Sequence, residues 1–173
     1  MKQIDWLFFD VGSTLVNEEK AYQDRIKQAL ADTNISYAAF YQTMIHYFME
    51  NKKGDVEALK YYGLRCPSWK SDLETLYPGC KHVLKTLHSH YKIGILANQL
   101  PNLLARLRNF GIDSYIDLII SSADVGLAKP NLAIFKLALQ QANCLAEHAV
   151  MIGDRLDNDI LPAKQLGMRT IWI

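Results

Sequence analysis

Short apolar runs alternate with segments of helical spacing along most of this chain. Five runs are four or five residues long and rich in Ile, Leu, Val or aromatics: Trp6 to Phe9, Ile93 to Ala97, Leu118 to Ser121, Ala149 to Ile152 and Thr170 to Ile173. None alternates cleanly with polar residues, the pattern expected of strands buried on both faces of a mainly parallel sheet. Helical spacing falls between them near Asn102 to Asn109, Asn131 to Ala142 and Asn158 to Leu166, with Gly111 and Gly167 just beyond the first and last. The pattern predicts an α/β domain in which helices cover a parallel sheet of about five strands.

Between the first two strands the rhythm changes to helical spacing with no good strand. Tyr22, Ile26 and Leu30 recur every fourth residue, and Ser36 is placed to cap a helix carrying Phe40, Met44, Ile45 and Phe48 on one face. Gly54-Asp55 and Cys66-Pro67-Ser68 punctuate the stretch, and Tyr77-Pro78-Gly79 marks the return through a helix bearing Val83, Leu84 and Leu87. The expected organisation is a core formed by residues 1–17 plus 77–173, interrupted by a small helical insertion at 18–76. The aromatics of that insertion, Tyr37, Phe40, Tyr41, Tyr47, Phe48, Tyr61 and Tyr62, read mostly as its own core.

Composition narrows the classes. With 173 residues, 50% hydrophobic and 21% charged, the chain supplies one full domain plus an insertion and is unlike a disordered or repetitive sequence. A formal charge of +1 gives no net field toward nucleic acid or an anionic membrane. Cys66, Cys80 and Cys144 are widely spaced with no C-x-x-C pair, which suits reduced thiols in a cytoplasmic protein rather than a zinc site. The apolar run Trp6 to Phe9 is cut off by Asp10, too short for a secretion signal or a membrane span. The five histidines are scattered, and His88 with His90 reads as a solvated helix end.

In a parallel sheet, loops at the carboxyl ends of the strands gather on one edge, where ligands bind. The first strand runs into Asp10-Val11-Gly12-Ser13-Thr14-Leu15, a carboxylate followed by a small loop whose N–H groups are expected to face an anion. A carboxylate can attack phosphorus or carbon, but beside a phosphate it needs a cation. The fourth strand ends in Gly153-Asp154-Arg155-Leu156-Asp157-Asn158-Asp159, a density of hard oxygen ligands that suits Mg²⁺. Lys129-Pro130 follows the third strand, where a lysine can neutralise both a nucleophilic carboxylate and a transferring phosphoryl group. Asn98 offers a side-chain donor after the second. Taken singly each has a bland explanation as a cap, a turn or a surface residue; the combination carries the weight.

In this order, Asp10 through Leu15, Asn98, Lys129-Pro130 and Gly153-Asp154 through Asp159 resemble the four motifs of the haloacid dehalogenase-like superfamily. The resemblance covers essentially the whole chain, including a helical cap between the first and second motifs. It implies a Rossmann-like core, Asp10 as nucleophile and Lys129 as the phosphate-stabilising cation. It further implies Asp10, Asp154 and the Gly12 carbonyl as Mg²⁺ ligands, with Asp159 orienting the metal site or Lys129, and Gly12, Ser13, Asn98 and Lys129 at the substrate.

Two positions depart from that pattern. Gly12 stands where phosphatases of the family carry a second Asp that protonates the leaving oxygen and then activates water. General acid–base catalysis contributes roughly 10²–10⁴-fold, so alkyl phosphates should be slow unless water or a cap residue such as Glu18, Glu19 or Tyr22 substitutes, and acyl or aryl phosphates should suffer least. Ala97 replaces a Ser or Thr that binds the phosphate. Ile173 falls on the last predicted strand, while related proteins commonly continue, so the expectation is either a shortened form or a partial one. The favoured reading is a Mg²⁺-dependent phosphatase of a small phosphorylated metabolite. The alternatives are a 2-haloacid dehalogenase-like hydrolase with Arg25 as carboxylate clamp, and a catalytically weak member that binds a phosphorylated ligand or partner.

Overall fold

The computed structural model describes residues 3–50 and 52–173. The chain divides into two compact units, one formed by Met1–Asn17 with Thr75–Ile173 and the other by Glu18–Glu74.

The first unit is built on a parallel sheet of β1 (Trp6–Phe9), β4 (Lys92–Ala97), β5 (Leu118–Ser121), β6 (Ala149–Gly153) and β7 (Arg169–Trp172), in the order β5-β4-β1-β6-β7. Its two faces bury two separate apolar clusters, as a parallel sheet requires. Leu7, Phe9, Ile93, Ile95 and Ile152 pack on one face, and Phe8, Leu96, Ile120, Ala149 and Met151 on the other. Gly94 on β4 lies beside Phe8 on β1, and a Cβ there would sit 2.5 Å from the Phe8 ring, so the glycine makes room for that ring. Helices α4 (Cys80–His88), α5 (Leu103–Asn109), α6 (Ser122–Val125), α7 (Leu132–Gln141) and α8 (Leu161–Gln165) connect the strands. The chain leaves β1 for β4 on one side and reaches β6 on the other, so the order reverses at β1 and opens a crevice at the carboxyl edge there.

Two short strands, β2 (Val16–Asn17) and β3 (Thr75–Leu76), pair antiparallel where the chain leaves and re-enters this unit. They move the boundary to 74/75 rather than the expected 76/77, because Thr75 and Leu76 are held by Asn17 and Val16. Two-residue strands carry no periodicity, so no pattern announces them.

The second unit holds α1 (Glu19–Leu30), α2 (Tyr37–Met49) and α3 (Gly54–Tyr61) around Ile26, Phe40, Met44, Ala58 and Leu59. Ser36 caps α2, its Oγ accepting from the Ala39 N–H at 3.2 Å. Gly54-Asp55, expected as a break, instead opens α3. A Cβ at Gly54 would strike the Met44 carbonyl and the Phe48 ring, so the glycine is there for close helix packing. Among the described residues no helix is long and apolar enough to cross a membrane.

Candidate active site

Asp10 leaves β1 at the crevice, its N–H donating to the Ile152 carbonyl at 2.9 Å and its side chain almost buried. The chain then closes a tight turn. The N–H groups of Leu15 and Val16 both donate to the Val11 carbonyl at 2.9 Å, and Ser13, at φ 55, donates its N–H to the Val16 carbonyl. The Ser13 N–H, expected to face an anion, is therefore engaged inside the turn; none of the bonds that close the turn uses the Gly12 N–H or carbonyl.

On the neighbouring strand, β6 ends at Gly153 and Asp154 follows. The chain continues into a single π-helical turn, Leu156–Ile160, before α8 begins. Sequence spacing predicts one helix from Asn158 to Leu166; the wider turn replaces its start, as such turns do at functional sites. The turn brings Asp159 back under the strand end, where its Oδ2 accepts the Arg155 N–H at 3.1 Å. A Cβ on Gly153 would lie 2.5 Å from the Asp159 carboxylate, so only glycine admits this approach. Asp157 turns the other way and takes the Arg155 guanidinium at 2.7 and 3.1 Å. Of the three closely spaced carboxylates, two face the crevice and one is neutralised locally.

Lys129 completes the cluster. Its Nζ, buried, donates to Asp10 at 2.6 Å and to Asp159 at 2.5 Å. Burial works against the ammonium, but the two carboxylates outweigh it and hold the lysine above its ordinary range. Asn98, expected at the substrate, has both amide atoms engaged by the Lys129 backbone: Nδ2 donates to the carbonyl and Oδ1 accepts from the N–H, each at 2.8 Å. The side-chain amide, expected to stand free as a donor, instead holds the lysine's backbone.

One oxygen each from Asp10, Asp154 and Asp159 lies within 4.8 Å of the others. Two of these three carboxylates bond the one ammonium and the third lies beside them, leaving an excess of two negative charges in a semi-buried crevice. The strain appears at Asp154, where burial first, and then Asp10 and Asp159, push the carboxyl up to about 6. Hard oxygen donors with an excess equal to the charge of one divalent cation fit Mg²⁺.

A family model described as haloacid dehalogenase-like hydrolase matches residues 7–173. The chain belongs to that family. This haloacid dehalogenase-like hydrolase is 29% identical to the pyrimidine 5'-nucleotidase YjjG of Escherichia coli, over 98% of this chain and 85% of that one. It is also 29% identical to the glyceraldehyde 3-phosphate phosphatase of Pyrococcus abyssi, over 96% of this chain and 79% of that one. Its fold is shared with the Bacillus subtilis HAD-hydrolase YfnB, solved bound to magnesium, with a TM-score of 0.76, 23% identity and coverage of 99% and 87%.

In this hydrolase the structure brings Asp10, Lys129, Asp154 and Asp159 together and leaves Ser13 and Asn98 to internal bonds. Sequence reasoning missed Arg155, which fixes both Asp157 and Asp159, and Trp172, whose Nε1 donates to the Asp154 carbonyl at 2.8 Å. Arg155 was legible as a cation inside an acidic run; Trp172 had no local signal, being reached only through the β6–β7 pairing.

Proposed function

We propose that this hydrolase is a Mg²⁺-dependent phosphatase acting on small phosphorylated molecules through an aspartyl-phosphate at Asp10. The observation that carries the reading is the Asp10–Lys129–Asp159 chain beside Asp154, with its two-charge excess. Bound at Asp10, Asp154 and the Gly12 carbonyl, Mg²⁺ supplies the positive charge that lets a carboxylate approach a phosphate dianion.

The chain's own residues do the rest. Asp10 is held by Lys129 with one oxygen engaged and the other available to attack phosphorus in line. Lys129 stays charged and lies against the position where the transferring group gathers negative charge. Asp159 and Asn98 hold that lysine from two sides, one at the ammonium and one at the backbone.

The dehalogenase alternative needs a cation for the substrate carboxylate. Arg25 is engaged by Asp55 at 2.6 Å, and dehalogenation through an Asp ester has no use for three clustered carboxylates. The weak-binder alternative leaves the assembled charge cluster without a purpose. The test is steady-state hydrolysis of an aryl phosphate with Mg²⁺ and with chelator, alongside Asp10→Asn. Metal-dependent turnover lost in the variant is expected; turnover indifferent to both would refute the reading.

A further inference from the structure

The backbone ladder between β6 and β7 ends at Gly153, whose carbonyl accepts the Ile173 N–H at 3.2 Å. A carbonyl just past a strand end has lost its regular partner and must find another. Here a side chain extends the pairing by one residue. Trp172, opposite Gly153 in the register, turns its indole so that Nε1 donates to the Asp154 carbonyl at 2.8 Å. The residue is 62% exposed, so filling the core is not its task.

The carbonyl it holds belongs to the peptide joining Asp154 to Arg155. The other end of that peptide, the Arg155 N–H, donates to Asp159 Oδ2 at 3.1 Å, and Asp159 Oδ1 accepts from Lys129, which bonds Asp10. One peptide plane is thus held at both ends, by an indole on the outermost strand and by a carboxylate of the crevice. Rotating the plane would break both bonds together. Donation to the carbonyl also strengthens donation by the N–H, because hydrogen bonds in a chain polarise one another. The Asp154 side chain leaves the backbone at the edge of the same plane, so its direction depends on the same pair of bonds.

We infer that Trp172 is a positioning residue of the metal centre: by holding the Asp154–Arg155 peptide from the edge of the sheet, it fixes where the Asp154 and Asp159 carboxylates stand and so sets the affinity for Mg²⁺. This rests on the Mg²⁺ reading above and extends it to a residue two strands away from Asp10. Groups that orient metal ligands through hydrogen bonds are worth roughly 10–100-fold in metal affinity.

The test compares the full chain with Trp172→Phe, which keeps a ring but has no N–H, and Trp172→His, whose Nε2 can stand where the indole nitrogen does. Calorimetric titration with Mg²⁺ should give a Kd raised by at least about 10-fold in Trp172→Phe, with most of the affinity restored in Trp172→His. Two further readouts do not depend on turnover. In chelator, the Arg155 amide should exchange faster with solvent in Trp172→Phe than in wild type. In wild type, the Trp172 indole N–H resonance should move as Mg²⁺ is added and saturate with the calorimetric Kd. An Arg155 amide and a Mg²⁺ affinity both unchanged in Trp172→Phe would overturn the inference and leave the metal reading standing; so would Trp172→His binding as weakly as Trp172→Phe. A wild type that binds no Mg²⁺ would overturn both. Should Trp172→Phe not fold, the wild-type indole resonance decides alone, and one that stays still while Mg²⁺ binds refutes the role.

Discussion

Two buried charge clusters in this protein look alike and differ in one respect. In the inserted unit, Arg25 and Asp55 meet at 2.6 Å with side chains 13% and 8% exposed. The Arg25 Cζ lies 4.7 Å from the centroid of Trp69, whose indole donates to Glu74 and meets Tyr22 edge-on. The guanidinium contacts one carboxylate directly, keeps its Nε buried without a hydrogen-bond partner, and lies over a ring face that offsets part of its charge. At the sheet edge, three carboxylates lie together with one ammonium, two of them bonded to it. A cation that contacts its carboxylate at hydrogen-bond distance helps hold a fold together, whereas a cluster with excess carboxylates raises their energy unless a further cation binds. The difference separates a structural pair from a site.

The largest effect should follow from removing the proposed nucleophile of the carboxylate-rich cluster. Asp10→Asn is expected to lower turnover of an aryl phosphate by at least about 10⁴-fold without unfolding the chain; residual rates near wild type would take Asp10 out of the chemistry. Breaking the Arg25–Asp55 pair should act on stability instead. Asp55→Asn strands a buried guanidinium and should cost about 3–5 kcal/mol in urea unfolding, most of it recovered in an Arg25→Met, Asp55→Leu double variant. An unchanged midpoint in the single variant would erase the contrast.

A smaller effect concerns the metal. Saturating Mg²⁺ at about 100 times its Kd should stabilise wild type by about 2.7 kcal/mol, whereas Asp154→Asn should be more stable than wild type in chelator and indifferent to Mg²⁺. The sign of the pH dependence follows. The Asp154 carboxyl is raised to about 6 in the folded, metal-free chain, so the folded state holds that proton more tightly than the unfolded one. Metal-free stability should therefore fall as pH rises from about 4 to about 6, the reference and raised values, and Asp154→Asn should flatten that slope in calorimetry.

The smallest effect is expected at Asp117, an outlying group with balanced partners. Burial pushes its carboxyl up, but Lys92 at 2.7 Å, the Ile93 N–H and His88 outweigh burial and hold it below the ordinary value. Its contribution is present above the unfolded pKa and lost as pH falls through the lower folded one. Asp117→Asn should cost about 1 kcal/mol or less near neutrality, and the difference should vanish in strong acid.

The elements of the fold were readable because their signal is local. A strand buried on both faces has no room for polar residues, so β1 and β5 appear with the expected bounds and β4, β6 and β7 within one residue of them. The Ser36 cap is equally local. The same reasoning places Asp10 and Asp154 just past strands, since a run of apolar residues ends where the sheet meets solvent. Which side chains meet is another matter. Lys129 reaches Asp10 across 119 residues and Asn98 across 31, and Arg25 reaches Asp55 across 30. No periodicity spans such distances, and the π-helical turn that sends Asp159 inward and Asp157 outward depends on a contact with Gly153 that only packing creates. The sequence by itself determined the strands, the insertion and the residue types at the sheet edge. The tertiary structure alone decided how charge is balanced among them, because pairing depends on distances that the chain sets only once it has folded.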